Sequence, residues 1–147
     1  MMGPIFASLV LLAALPAAIA SSLNVQNNCD FGIQCSAAKN DGSSSPPVEV
    51  NGNGGTYSSP LLANDDNVGT VLKCGISGPV FQMELDLQNG RSWLDLSALD
   101  GDPFLPYHRH VELAGQCVID CPATSTTCEW PLQVDCSSSE DGWLTLC

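Results

Sequence analysis

The chain has 147 residues, a length that suits one domain with a modest hydrophobic core. It carries 16 acidic residues against 4 basic ones, and its formal net charge at pH 7 is −12. Nucleic acids and anionic membrane surfaces recruit Lys and Arg, so this charge argues against either of them as a partner.

The N-terminal part of the sequence indicates secretion. Residues 4–20 form an apolar run that closes with Ala18-Ile19-Ala20, a small-x-small pattern typical of signal-peptide cleavage sites. As a transmembrane helix the run is short and is interrupted by Pro16, and no second apolar stretch follows it. We therefore predict a secretory signal peptide over residues 1–20 and one extracellular domain over residues 21–147.

Cysteine usage agrees with an oxidising compartment. All 8 cysteines follow the predicted signal peptide, and an even number in a small secreted domain predicts that they pair as disulfides. Counting alone leaves the pairing open. A zinc cluster would need CxxC-type pairs, which the sequence lacks, so we expect four structural disulfides and no cofactor.

Short segments of alternating polarity, separated by turn residues, make up the rest of the chain. None has a sustained helical period, and the stretch from 117 to 136 is rich in turn residues. This pattern is typical of an antiparallel β-sandwich or barrel. The predicted strands cover residues 23–27, 31–35 (expected to continue the pairing of 23–27), 48–50, 68–74, 81–88, 91–96, 107–113 and 142–147.

The most regular part of the pattern flanks Asn89-Gly90, a dipeptide that favours a type I′ hairpin turn. The register set by this turn places Glu84 opposite Asp95, with Asp86 beside them. Like charges facing each other across two strands are destabilising, so the face is either a solvated surface or an acidic binding or catalytic cleft. The candidate cleft residues are Glu84, Asp86, Trp93, Asp95, Asp100 and Asp102.

The three tryptophans are candidate sugar contacts, because an aromatic ring offers a flat apolar face to a pyranose. Trp93 shares the polar face of the hairpin with Asp95 and is the best placed, although it could instead pack beneath a loop. Trp130 is a further candidate. For Trp143 we expect packing in the core.

A second polar cluster lies on the predicted strand 107–113. His108, His110 and Glu112 alternate along it, so their side chains would share one face, a spacing that a metal site can use. The alternative is an exposed edge strand whose histidines are only pH-sensitive surface groups.

Several separated motifs resemble one family. Asn27-Asn28-Cys29-Asp30-Phe31 is similar to the segment that opens thaumatin-like proteins, and Trp93–Phe104 resembles the end of their central hairpin and the corner after it. Cys136–Cys147 resembles their C-terminal end. The chain is most similar to the small fungal branch, the antigenic thaumatin-like or yeast-phase-specific secreted proteins. This resemblance implies a single-domain thaumatin-like β-sandwich without the second domain of larger members.

The resemblance also implies disulfide pairs and a cleft. The implied pairs are Cys29–Cys147, Cys117–Cys136, Cys121–Cys128 and Cys35–Cys74. The family's acidic cleft has one Arg, one Glu and three Asp. Glu84 matches the Glu, and Asp95 and Asp100 match two of the Asp residues. The Arg would precede the Glu84 strand, where this sequence reads Ser77-Gly78-Pro79-Val80, and the last Asp belongs to the missing domain.

We therefore expect a secreted, monomeric, non-enzymatic protein that acts at a cell wall or host surface, binding β-glucan or a host protein as an effector or antigen would. One alternative is a weak β-1,3-glucanase, with Glu84 as acid and Asp95 as nucleophile or stabiliser, because carboxylates about 5 Å apart suit retaining glycosidases. Another is an antimicrobial protein, although the net charge of −12 disfavours cationic attack on membranes.

Overall fold

The computed structural model describes residues 20–65, 68–113, 115–137 and 139–147, so most of the predicted signal peptide lies outside the described residues. Among these residues there is no α-helix, and therefore none that could cross a membrane. The strands are β1 (Ala20–Ser21), β2 (Leu23–Asn27), β3 (Ile33–Lys39), β4 (Val48–Val50), β5 (Gly55–Ser58), β6 (Ala63–Asn64), β7 (Thr70–Gly75), β8 (Phe81–Gln88), β9 (Arg91–Ser97), β10 (Arg109–Leu113), β11 (Cys117–Cys121), β12 (Gln133–Cys136) and β13 (Gly142–Leu146).

Two sheets pack face to face, as the alternating pattern predicts. One has six strands in the order β12-β9-β8-β7-β3-β4, and the other has five in the order β11-β10-β13-β2-β5. The short strands β1 and β6 pair with each other. Buried side chains alternate along the strands of both sheets, as in Met83 and Leu85 of one sheet and Val111 and Leu113 of the other, and they form one core. The all-β sandwich class is thus confirmed.

One pairing departs from the antiparallel expectation. β13 runs parallel to β2, with Leu144 opposite Val25, whereas the other pairings of named strands in the described structure are antiparallel. Parallel neighbours need a connection that crosses the molecule, and here nearly the whole domain lies between them. The two strands end side by side, where Cys29 and Cys147 form a disulfide.

The prediction that residues 31–35 continue the pairing of β2 is wrong. β3 instead pairs with β4 and β7 in the opposite sheet. The side-chain amide of Asn27 donates to the carbonyl of Phe31 at 2.8 Å, which stabilises the tight corner that carries the chain across the sandwich. Ile33 and Cys35 then enter the core from the other side.

The four disulfides of the structure are Cys29–Cys147, Cys35–Cys74, Cys117–Cys136 and Cys121–Cys128, the same pairs that the family resemblance implies. Cys117–Cys136 joins β11 to β12, which are edge strands of different sheets. Both strands lie in residues 117–136, which the sequence indicated to be rich in turn residues and for which no strand was predicted. Each pairs with a neighbour in its own sheet, β11 with β10 and β12 with β9, and the disulfide links the two sheet edges.

The core contains a buried ion cluster around Arg109, whose side chain is fully buried. Its guanidinium donates to the carboxylates of Asp102 and Glu129, and at 2.7 Å to the carbonyl of Ser125. It also lies 5.5 Å from the centre of the Phe81 ring. Because side chains alternate along β10, Arg109 points inward while its two histidine neighbours point outward. A buried charge is tolerated here because carboxylates compensate it.

Candidate functional site

The hairpin of β8 and β9 has the predicted register. Asn89 and Gly90 have φ angles of 52° and 71°, the left-handed conformation that a type I′ turn requires at both positions. The Asp65 carboxylate accepts hydrogen bonds from both backbone amides, at 2.6 and 3.3 Å. Glu84 therefore lies directly opposite Asp95.

The polar residues of this hairpin lie in the middle of the outer face of the six-stranded sheet. Strand pairing adds β12 as a third contributor, because Gln133 lies beside Asp95. Asp86 lies opposite Trp93, and this pair is two residues along the hairpin from the pair of Glu84 and Asp95. We call the surface formed by Glu84, Asp86, Trp93, Asp95 and Gln133 the acidic face.

An open cavity of about 430 Å³ lies over one end of the acidic face, within the range of small-molecule sites. Its rim is apolar: Leu99 is 88 % exposed and Trp130 is 64 % exposed. The backbone amide of Trp130 donates to the carbonyl of Leu96 at 2.8 Å, which holds the tryptophan next to β9. The cavity is lined by Glu84, Asp95, Ser97, Leu99, Trp130 and Gln133.

Sequence reasoning did not place Trp130 in the cleft and did not identify Leu99 or Gln133. Trp130 and Gln133 belong to the segment after Cys128, which is distant in sequence from the hairpin. The signal in the sequence was Trp130 itself, already a candidate sugar contact.

Two carboxylates of the acidic face are unusual, Asp95 in its pKa and Asp86 in its hydrogen bonding. Burial, and then the nearby charge of Glu84, raises the pKa of Asp95 from its ordinary 3.8 to about 6. In Asp86, Oδ2 accepts from the Gln88 amide at 2.9 Å, whereas Oδ1 is buried and has no hydrogen-bond partner among the described residues. A buried unpaired acceptor is costly, so Asp86 would gain from a hydrogen-bond donor if its side chain moved to expose Oδ1.

The two remaining cleft candidates, Asp100 and Asp102, lie outside the centre of the acidic face. Asp100 is exposed in the loop after β9, and its carboxylate is 3.4 Å from the Gln82 amide, at the margin of the face. The placement of Asp102 in the cleft is wrong. Its carboxylate binds Arg109 in the buried ion cluster, and its Oδ1 accepts from the Phe104 amide at 2.8 Å. The buried guanidinium of Arg109 requires carboxylate partners, and Asp102 is one of the two that compensate its charge.

Trp143 and the histidines lie on the outer face of the five-stranded sheet. The expectation that Trp143 packs in the core is wrong, because Leu144 takes the inward position on β13 and leaves Trp143 outside. His108 and His110 share the outer face as predicted. The residue that lies closest to both is Asp120 of β11, whereas Glu112 is 3.9 Å from His110.

Comparison with known proteins identifies the family. The model of the Bys1 family, described as Blastomyces yeast-phase-specific protein, matches residues 9–147. The chain belongs to the Bys1 family. Among curated proteins, none matches the sequence significantly.

Solved structures share the fold of this Bys1 protein at low identity. The protein elicitor MoHrip2 from Magnaporthe oryzae superposes with a TM-score of 0.72 and 18 % identity, over 86 % of this chain and 98 % of that one. The thaumatin-like xylanase inhibitor TLXI gives a TM-score of 0.62 and 12 % identity, over 85 % and 98 % of the two chains. The predicted small fungal protein with a thaumatin-like fold is confirmed.

The raised pKa of Asp95 predicts a pH-dependent effect of Asp95→Asn on stability. The pKa of Asp95 is higher in the folded state than in the unfolded state, so ionisation of Asp95 opposes folding. This destabilisation is absent below about pH 4 and complete above about pH 6. We expect the amide to increase the free energy of unfolding at about pH 7.5 by about 1 kcal/mol, after allowance for solvent screening of this half-buried group.

Thermal unfolding at about pH 3.5 and 7.5 measures this effect. The gain at the higher pH corresponds to a melting temperature about 3–5 °C higher, with no gain at the lower pH. Asp30→Asn, which removes an exposed carboxylate elsewhere, is the matched control and should change neither value. Equal stabilisation by Asp95→Asn at both pH values would contradict the electrostatic explanation.

Proposed function

We propose that this Bys1 protein is an extracellular, non-enzymatic protein that binds β-1,3-glucan of a cell wall through the acidic face. The observation that carries the proposal is the combination of carboxylates that form no ion pair with another described residue, and aromatic and apolar side chains, of which Trp93 is partly exposed and Trp130 and Leu99 are largely exposed. Carboxylate oxygens accept hydrogen bonds from sugar hydroxyls, while indole rings stack on the apolar faces of pyranoses. Trp93 and Trp130 flank Asp95 from two directions.

The electrostatics of the face support a neutral, hydroxyl-rich ligand. Among the described residues, no Lys or Arg forms an ion pair with Glu84, Asp86 or Asp95. No cationic side chain in the described part of the chain therefore occupies the carboxylates of Glu84 and Asp95, and an anionic ligand would be repelled. Disulfide bonding and the thaumatin-like fold support an extracellular location.

Weak β-1,3-glucanase activity is the second candidate, favoured by the pKa of Asp95 of about 6 beside Glu84. Retaining hydrolysis needs one protonated and one ionised carboxyl. The sequence-based assignment made Glu84 the acid, but the raised pKa makes Asp95 the better proton donor. The open cavity excludes little water, which supports binding over catalysis.

A host protein is the alternative partner. The fold is shared with a protein elicitor and a xylanase inhibitor, and neither description is that of an enzyme. In this case the acidic face would bind a cationic surface of the partner, and association would weaken with salt.

Retention of the mature, oxidised protein on insoluble β-1,3-glucan, with chitin and cellulose in parallel, tests the proposal. We expect selective retention on the glucan and about tenfold weaker binding in Trp93→Ala, since loss of one stacked ring costs about 0.5–1.5 kcal/mol beyond lost contact area. Asp95→Asn should weaken binding as well. Trp143→Ala and Asp30→Asn are matched controls on other surfaces, and they should bind like the wild type.

The outcomes separate the candidates. Retention without release of reducing sugar supports the binding function, whereas release that disappears in Glu84→Gln supports the glucanase. Absence of retention on every polymer overturns glycan binding and leaves a protein partner for the acidic face. Retention that survives both Trp93→Ala and Asp95→Asn places the binding surface elsewhere.

A further inference from the structure

A cluster of metal-binding side chains lies on the outer face of the five-stranded sheet, away from the acidic face. His108 directly precedes β10 and His110 lies within it, so the period of the strand directs both imidazoles outward. Antiparallel pairing with β11 brings Asp120 directly opposite His110. The chain has 2 histidines in total, and both are in this cluster.

The distances between the ligand atoms suit a small metal ion. Oδ1 of Asp120 lies 2.8 Å from Nε2 of His108 and 3.0 Å from Nδ1 of His110. The three ligand atoms lie within 4.8 Å of one another. Two tetrahedral ligands at about 2.0–2.1 Å from a zinc ion are themselves about 3.4 Å apart. The carboxylate oxygen needs to withdraw from each nitrogen by a few tenths of an ångström. The separation of the two nitrogens adjusts by side-chain rotation, because all three side chains are at least partly exposed.

Glu112 has a different position from that expected of a ligand. Its Oε2 lies 3.9 Å from Nε2 of His110, the ring nitrogen that does not face Asp120. A carboxylate behind a ligating histidine holds the ring in the orientation and tautomer that binds the metal. Glu112 thus lies behind His110 at a distance longer than a hydrogen bond, and a small movement of its side chain would bring it to the ring nitrogen, where it supports His110 rather than binding the ion.

The surrounding charges favour a cation at this position. The chain has 4 basic residues, and each of them lies elsewhere. Arg109 points into the core and donates to Asp102 and Glu129, and Arg91 pairs with Asp135. Lys39 and Lys73 belong to strands of the other sheet. No basic side chain of the described structure neutralises the carboxylates of the cluster.

We propose that His108, His110 and Asp120 bind a divalent transition-metal ion of the Zn²⁺ and Cu²⁺ class, with Glu112 positioning His110. Two imidazoles and one carboxylate select this class over Mg²⁺ and Ca²⁺, which prefer oxygen ligands. Three ligands from one edge of the sheet leave the remaining coordination positions to water or to a partner's side chain. The site is independent of the proposed glucan binding because it lies on the other sheet.

Calorimetric titration of the tag-free, chelator-treated mature protein with Zn²⁺, with Co²⁺ absorption spectra as a second readout, tests the proposal. We expect one ion per chain, and a Co²⁺ spectrum of nitrogen and oxygen ligation. His108→Ala, His110→Ala and Asp120→Asn should each weaken binding at least about tenfold, and Glu112→Gln should weaken it less. Asp30→Asn is the control and should bind like the wild type.

Each substituted position is on the surface, so circular dichroism and the melting temperature should confirm that the variants fold. Undiminished Zn²⁺ affinity in both folded histidine variants would overturn the proposal. No binding of either ion at millimolar concentration would overturn it too. Loss of the Co²⁺ spectrum in Asp120→Asn but not in Glu112→Gln would support the assignment of ligand and positioning residue.

Discussion

Replacement of both Cys29 and Cys147 by Ser is expected to lower the free energy of unfolding by about 4–5 kcal/mol. The two cysteines are 118 positions apart, so their bond closes nearly the whole domain into a loop and removes much of the freedom of the unfolded chain. It also holds the ends of β2 and β13 together, the parallel pair inside the five-stranded sheet. A loss of this size is a large part of the stability of a small domain.

Urea denaturation of the oxidised proteins measures the effect through the midpoint and the slope of the transition. The matched control is the double replacement of Cys121 and Cys128, which are 7 positions apart and close a short loop. In the chain-entropy model that loss is about 2–3 kcal/mol, roughly half as large. Equal losses in the two double variants would show that loop closure does not set the contribution of these disulfides.

The second large effect is expected for Arg109→Met, which should destabilise the fold by about 3–5 kcal/mol. Methionine fills much of the space of the arginine stem but leaves two buried carboxylates without their cation. Burial already raises the pKa of Asp102, and the Arg109 guanidinium opposes that rise. Without the guanidinium the pKa of Asp102 rises further, and its ionisation opposes folding more strongly.

The sign of the pH dependence follows from this change. A carboxyl whose folded pKa lies above its unfolded pKa costs stability above the unfolded pKa, so Arg109→Met should be more harmful at about pH 7.5 than at about pH 4. Thermal unfolding at both values measures this difference. Arg91→Met is the control, because Arg91 pairs with Asp135 on the surface and its loss should have little effect.

A triple variant distinguishes lost charge compensation from lost packing. Arg109→Met combined with Asp102→Asn and Glu129→Gln removes the whole buried cluster, and we expect it to recover part of the stability lost in the single variant. If the triple variant is no more stable than Arg109→Met, uncompensated carboxylates are not the cause of the loss, and the cost lies in packing against Phe81.

The acidic face and the ion cluster illustrate two solutions to the same electrostatic problem. Asp102 and Glu129 are buried with a cation that compensates them. Glu84 and Asp95 face each other without one, and burial, together with the smaller effect of the Glu84 charge, raises the pKa of Asp95. A domain that maintains such an unfavourable pair on an accessible surface gains nothing in stability from it, which favours a role in binding.

Local patterns in the sequence determined the hairpin and its acidic pair. The type I′ turn at Asn89-Gly90 sets the register, and the alternation of side chains then places Glu84 opposite Asp95 before any other part of the fold is known. The same alternation placed His108 and His110 on one face. These features depend on residues close together in the chain, so a single sequence is sufficient to predict them.

Only the tertiary structure decided which distant residues joined these local features. Asp120 reaches the histidines because β11 pairs with β10, and Trp130 reaches the acidic face because the segment before β12 lies against β9. Asp102 lies outside the predicted cleft because its carboxylate pairs with the buried guanidinium of Arg109. Such contacts depend on the packing of two whole sheets, and the free energy of that packing is not encoded in any short stretch of sequence.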